Sequence, residues 1–260
     1  METGKILELY DKYERKNAFI PGYTRIDLDN VVRMIDPLGK HSYIAYSKLS
    51  DENADATIKH EIEYFSTLNQ EFEWKYYTHD EPNNQKQLLH DQGFEIDEDE
   101  AIMVLDLTSA TKLEKQSNGK IDIRKITDPK LLGDVVKVES AVWDEDFGQC
   151  IANMEYQLTN NPDYISVYIG YVDNIPASSA WVNFPPKSPF ASLWGGSTLK
   201  EYRKQGVYTE LLATRMEEAK RRGYTYLTID AGKMSRPIVE KYNFQLLIMS
   251  NACNYKLHKE

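Results

Sequence analysis

The chain has 260 residues, 41% hydrophobic and 28% charged, with a net charge of −10. That length suits one large domain or two ordinary ones, and the acidic balance excludes a general binder of phosphate backbones or anionic membranes, which needs surplus Lys and Arg. No stretch approaches the ~20 apolar residues that span a bilayer, and the opening METGKILELYDKYERK lacks an apolar run of signal-peptide length, so a cytoplasmic protein is expected.

The first half is legible from about residue 41 onward. HSYIAYSKL precedes a helix at ATIKHEIEYFSTLN; FEWKYYTHD reads as a strand, PNNQKQLLHDQGF as a helix stopped at Gly93, and AIMVLDL as a strand. A polar, flexible segment then runs from Leu107 to Thr127, which places a boundary between residues 1–115 and 116–260. Its last residues, IDIRKI, alternate as a first strand. In DPKLLGDVVKVESAVW, Leu131, Leu132, Val135, Val136, Val138 and Val142 fall at helical spacing, with Asp128 as N-cap and Pro129 at the first helical position. WDEDFGQ reads as an acidic loop. YISVYIGYVDNIPASSAWVNF reads as strand, turn at Asp173-Asn174, strand. A proline-rich loop, the strand ASLWGGSTL, the amphipathic helix GVYTELLATRMEEAKRRG, the strand YTYLTIDA, the short helix SRPIVEKYNF and the strand LLIMSNACNYKL follow. The helix puts Tyr208, Leu211, Leu212, Met216 and Ala219 on one face and stops at Gly223. Both halves end as strand, helix, strand, with Gly93-Phe94 and Asn243-Phe244 closing the helices, which suggests a diverged duplication.

Cys150 and Cys253 are far apart and lack metal or redox spacing, so reduced, structural thiols are expected. His41, His60, His79 and His90 show no zinc-binding spacing, and no metal is expected.

The stretch EYRKQGVYTELL sets basic residues and a glycine at the mouth of a helix. A helix leaves the N–H groups of its first turn without internal acceptors, and its dipole favours an anion there. Gly206 lacks a Cβ and admits a ligand to those donors, while Arg203 and Lys204 add charge. The nucleotide motifs G-x-x-x-x-G-K-[ST] and G-x-G-x-x-G are absent.

Arg203-Lys204-Gln205-Gly206-Val207-Tyr208, in its strand–loop–helix–strand–helix setting over Ile121 to Leu257, resembles the R/Q-x-x-G-x-G/A acyl-CoA loop of the GCN5-related N-acetyltransferase (GNAT) superfamily, and the whole arrangement resembles the tandem members. The resemblance implies an α+β fold of two GNAT domains, each a mixed, mostly antiparallel sheet flanked by helices. It implies acetyl-CoA as cosubstrate. The amides of Lys204, Gln205, Gly206, Val207, Tyr208 and Thr209 would cradle the pyrophosphate, with Arg203 beside them. Gly196, Ser197 and Thr198 would pair with the pantetheine arm at a strand that splays from YLTIDA; Gly195-Gly196 also reads as a β-bulge, which is compatible with that splay. Tyr208 departs from the family's usual Gly or Ala.

Direct attack by an amine needs a proton acceptor and a protonated leaving group. Asp230, at the end of the second splayed strand, is the candidate base or amine-orienting group; the alternative is a locally paired carboxylate. The terminal-helix position where many members carry an acid Tyr is Val239, and Tyr242 is the candidate substitute. The acidic Asp144, Glu145 and Asp146 would attract a cationic amine, and Trp143, Trp181 and Trp194 are candidates for a pocket wall or for core.

The corresponding first-half loop, Ser50 to Asp55, has no Gly, Arg or Lys and carries Asp51, Glu52 and Asp55, so residues 1–115 are expected to lack cofactor binding. The expected activity is acetyl transfer from acetyl-CoA to a primary amine of a small molecule or peptide, without nucleic acid or membrane partners. The alternative is a non-catalytic acyl-CoA-binding or interaction protein. A nucleotide-binding protein is a third reading.

Overall fold

The computed structural model describes residues 3–111, 113, 120–149 and 151–257. Part of the Leu107–Thr127 linker and Cys150 therefore lie outside the described residues. The chain begins with α1 (Thr3–Tyr10), which runs into a π-helical turn, Asp11–Lys16. β1 (Thr24–Asp27), β2 (Val31–Ile35), β3 (Ser42–Ser47), α2 (Ala54–Thr67), β4 (Phe72–Tyr77), α3 (Gln85–Asp91), β5 (Glu95–Ile96) and β6 (Glu100–Asp106) follow. After the linker come β7 (Ile121–Ile126), a 3-10 turn at Pro129–Leu132, α4 (Gly133–Trp143) and α5 (Ile151–Asn160). The chain continues through β8 (Ile165–Val172), β9 (Ile175–Asn183), β10 (Phe190–Thr198), α6 (Val207–Arg221), β11 (Tyr226–Ala231), α7 (Arg236–Glu240) and β12 (Gln245–Tyr255).

Its contacts divide it into two units, residues 1–104 with 230–260, and residues 105–229. The first unit is thus discontinuous in sequence, whereas the linker alone suggests a single cut between 115 and 116. The reason is a long antiparallel ladder. β12 pairs with β4 from Ser250↔Tyr77 to Tyr255↔Phe72 and with β6 from Gln245↔Val104 to Ser250↔Glu100. Such pairing between distant segments leaves no mark in a local window.

The two units share a topology. In the first, β2 and β3 are antiparallel, and α2 carries the chain to β4, which lies parallel to β3. In the second, β9 and β10 are antiparallel, and α6 carries the chain to the parallel β11. In both, the parallel pair holds for three residues only: Ser42–Ile44 against Phe72–Trp74, and Phe190–Ser192 against Tyr226–Thr228. Beyond those residues the strands part.

The first unit fills its gap from within. The Arg15 guanidinium sits 5.3 Å from the Tyr46 ring on β3 and 4.0 Å from the Tyr77 ring on β4, and is bound to Asp80 at 2.6 Å and Asp11 at 2.8 Å. The buried Gln85 amide accepts from Ser47 Oγ on β3 and Trp74 Nε1 on β4, 3.1 Å each, and donates to the Glu81 carbonyl. A fully buried core of Ile44, Ile58, Phe65, Trp74 and Leu89 packs beneath.

In the second unit every residue of β8 is buried, because helices cover both faces. Ser166 and Tyr168 hydrogen-bond Glu218 on α6, and a Cβ on Gly170 would run into Val207, also on α6. Tyr171 instead bonds Asp134 on α4. Since successive strand side chains alternate in direction, α4 and α6 lie on opposite faces of the sheet. The turn between β8 and β9 has positive φ at both Asp173 (49°) and Asn174 (64°), as that residue pair suggests. α5 is absent from the sequence reading, although Ile151, Met154 and Leu158 give it a short apolar stripe.

Candidate functional site

β10 carries the sequence's double glycine where its pairing with β9 slips, between Gly195 and Ser197. Both glycines are left-handed, with φ of 66° and 89°. A Cβ on Gly195 would lie 2.5 Å from the Trp181 ring, so no larger residue fits without moving an indole. Gly195→Ala is expected to cost about 1–3 kcal/mol through overpacking and left-handed strain, read as a lowered urea midpoint. The bulge falls in the stretch of β10 that has already parted from β11, so its backbone borders the gap.

The loop from β10 to α6 enters the helix through a left-handed glycine. A 3-10 turn at Lys200–Tyr202 leads into Arg203, whose Nε donates to the Thr198 carbonyl at 3.0 Å and ties the loop to the strand. Lys204 is left-handed (φ 62°), and Gln205 Nε2 donates to the Glu201 carbonyl at 2.8 Å. Arg203, Lys204 and Gln205 are exposed. Gly206, with φ of 92°, is the N-cap of α6 and offers no side-chain acceptor to the first turn. A serine or aspartate there would add a competing side-chain acceptor at the helix entrance; glycine adds none. Tyr208 points to the bulge, its ring 3.0 Å from where a Gly196 Cβ would be. The side chain that departs from the resembled motif therefore lies along β10.

On the α4 face, a group that apolar periodicity passes over meets the bulge. Glu139 is 2% exposed and lies four residues after Val135, on the apolar stripe of α4. Its Oε2 accepts from Ser197 Oγ at 2.7 Å and from Trp143 Nε1 at 3.1 Å, and its Oε1 accepts from Ser179 Oγ. Trp143 Nε1 also lies 3.2 Å from Ser197 Oγ. The sequence signal for Glu139 is a charge inside a stripe of valines. Trp143 and Trp194 are 58% and 46% exposed, and Trp181 packs beside Phe147 at 6.4 Å. The two exposed indoles are therefore surface groups and not core.

The opposite face holds the converse charge. Arg215, 1% exposed on α6, donates from Nη1 to the carbonyls of Trp181 and Trp194, 3.2 Å each, and from Nε to the Leu211 carbonyl. Burial brings its guanidinium down to about 10, against the pull of Tyr208 and Tyr168. Among the described residues no carboxylate pairs with Arg215, and no Lys or Arg pairs with Glu139.

Asp230 and Tyr242 belong to the first unit, and residues 196–209 belong to the second. Asp230 is ion-paired with Lys75 at 3.1 Å, and Lys75 also holds Glu100 at 2.7 Å. Burial opposes the Lys75 charge, but Asp230, Tyr77, Glu73 and Glu100 outweigh it and hold the ammonium well above its ordinary range. Val239 is fully buried, and Tyr242 is half-buried just past α7.

A bulged strand parting from its parallel neighbour, opposite a helix opened by glycine, defines a class by its fold. The chain has the fold of the GCN5-related N-acetyltransferases in tandem form, α+β with mostly antiparallel sheets flanked by helices. A GCN5-related N-acetyltransferase from Kribbella flavida matches with a TM-score of 0.73 at 10% identity, over 99% of this chain and 96% of that one. A tandem GNAT protein from the clavulanic acid biosynthesis pathway matches at 0.63 and 9% identity, over 99% and 95%. A functionally unknown conserved protein from Staphylococcus epidermidis matches at 0.69 and 17% identity, over 94% and 97%. No protein-family model and no curated protein matches the sequence.

Proposed function

We propose that residues 196–209 bind acetyl-CoA and that the chain transfers its acetyl group to a primary amine of a small molecule or peptide. The observation that carries this is the parting of β10 from β11 after Ser192, with the left-handed Gly206 opening α6 at the loop that follows β10. The residues fit the group. Gly196, Ser197 and Thr198 offer an unladdered strand edge to the amides of the pantetheine arm. Lys204, Gln205, Gly206, Val207, Tyr208 and Thr209 offer backbone donors to the pyrophosphate, and Arg203 and Lys204 supply positive charge. Acetyl-CoA, when bound, supplies an acetyl group activated as a thioester. Asp230 and Tyr242 stay as the acid–base candidates of the resemblance, but the Lys75 ion pair favours a structural carboxylate at position 230, which calls for another proton acceptor.

The first unit, in this reading, serves as scaffold. Asn53 Oδ1 accepts from the Ser50 N–H at 2.8 Å, so the loop before α2 is closed on itself, and Arg15 and Gln85 fill the gap between β3 and β4. The reading places the chain in the cytoplasm, with no metal, no nucleic acid and no membrane partner. Among the described residues no helix is long and apolar enough to cross a membrane.

The buried Val239 at the position where the resembled family carries an acid Tyr favours a second reading, a non-catalytic acyl-CoA binder. One assay separates them. Thiol release from acetyl-CoA over a panel of primary amines supports transfer; a CoA-induced thermal shift without turnover on any amine supports the binder; no shift with CoA or acetyl-CoA defeats both.

A further inference from the structure

Among the described residues, two buried charges lie astride one strand pair without countercharges. Glu139 reaches Ser179 on β9 and Ser197 on β10 from the α4 face, while Arg215 reaches the carbonyls of Trp181 on β9 and Trp194 on β10 from the α6 face. A buried carboxylate without a cation is costly, even when neutral donors satisfy its oxygens. Evolution of a stable core alone would favour an apolar residue at this position of a valine stripe. From these observations, and resting on the acetyl-transfer reading, we infer that Glu139 is the fixed anion of the acceptor site: it matches a cationic alkylamine and takes that amine's proton through the Ser197 hydroxyl.

The geometry gives the relay its direction. Ser197 Oγ donates its proton to Glu139 Oε2, so its remaining lone pair is turned away from the carboxylate. Trp143 Nε1 holds both oxygens, at 3.1 and 3.2 Å, and its indole is more than half exposed. An ammonium at that indole gains a cation–π contact and a short path to Ser197. The exposed Asp144, Glu145 and Asp146 immediately follow and add a longer-range attraction. In the transfer, the bound ammonium first releases one proton to water; the neutral amine nitrogen then bonds to the acetyl carbon and the carbon–sulfur bond breaks. One N–H proton passes to Ser197 Oγ, and the Ser197 proton passes to Glu139 Oε2. The sulfur leaves as thiolate and takes a proton from water, while Glu139 returns its own to water. Glu139, reached through Ser197, is a positioning and proton-holding residue.

The test uses the full chain and the variants Glu139→Gln, Ser197→Ala and Ser197→Thr. With a turned-over amine, Glu139→Gln is expected to lower kcat by about 100-fold or more, while the CoA-induced thermal shift persists. A readout without turnover accompanies it, the calorimetric affinity of CoA-loaded protein for hexylammonium, with hexanol as the uncharged control. Hexylammonium binding is expected to weaken at least about tenfold in Glu139→Gln, and hexanol binding to stay unchanged. Should Glu139→Gln fail to fold, Ser197→Ala is expected to show the same loss of rate and Ser197→Thr to restore it. An unaltered kcat and unaltered hexylammonium affinity in folded Glu139→Gln would overturn the inference while leaving acetyl transfer standing. Absence of thiol release by the wild type with every amine would instead overturn the transfer reading, and the proton relay with it.

Discussion

Gly206→Glu is expected to abolish the stabilisation that CoA gives the wild-type chain. With CoA at about 100 times its dissociation constant, linkage adds about 2.7 kcal/mol, a thermal shift on the order of 5–10 °C for a chain of this size. Two effects remove it in the variant. Gly206 has a φ of 92°, where any side chain costs about 1–2 kcal/mol. The added carboxylate also occupies the positive end of α6 and repels the pyrophosphate. Gly206→Ala separates the two, since it keeps the strain without the charge; it should retain a reduced CoA shift. A full shift in Gly206→Glu would place the cofactor elsewhere.

Glu218→Gln is expected to destabilise the second unit strongly. The Glu218 carboxylate is buried and accepts from Ser166, Tyr168, Lys125 and Arg222. Burial alone would raise its pKa, but the Tyr168 hydroxyl, Lys125 and Arg222 outweigh burial and hold it at about 2. The folded value thus lies below the unfolded one, about 4.3. Its contribution, roughly 3 kcal/mol by linkage, is fully present above about pH 5 and fades as pH falls through the folded value. Near neutrality the variant should therefore melt about 5–10 °C below wild type. The gap should narrow steadily in scans from pH 5 toward pH 2.5. An equal gap at every pH would show that the carboxylate's charge is not what stabilises.

The elements around residues 203–209 are legible in the sequence because their signals are local. Gly206 and Gly223 bracket α6, Asp128 Oδ1 accepts from the Lys130 N–H at 3.0 Å ahead of α4, and Asp173-Asn174 forms the β8–β9 turn. Apolar periodicity also places Leu211, Leu212, Met216 and Ala219 on the buried face of α6, as found. The same counting passes over Glu139, Arg215 and Glu218, because a stripe rule scores a charge as solvent-facing. Each of them is buried against polar atoms supplied by strands 20 or more residues away in sequence, which no helical window contains. The membership of β12 in the first unit is hidden for a related reason: its partners on β4 precede it by more than 170 residues. The split between β10 and β11 is half legible. Gly195-Gly196 marks the bulge, but that pairing stops at Ser192 emerges only from the register.

The central claim concerns where the cofactor's amides and phosphates lie. Backbone amide NMR of the full chain titrated with CoA tests it most directly. Saturable shifts concentrated at Gly196–Thr198 and Lys204–Thr209, with the amides before α2 at Ser50–Asn53 undisturbed, are the predicted outcome. Binding that leaves 196–209 unchanged and perturbs the first unit, or no binding at all, would contradict it.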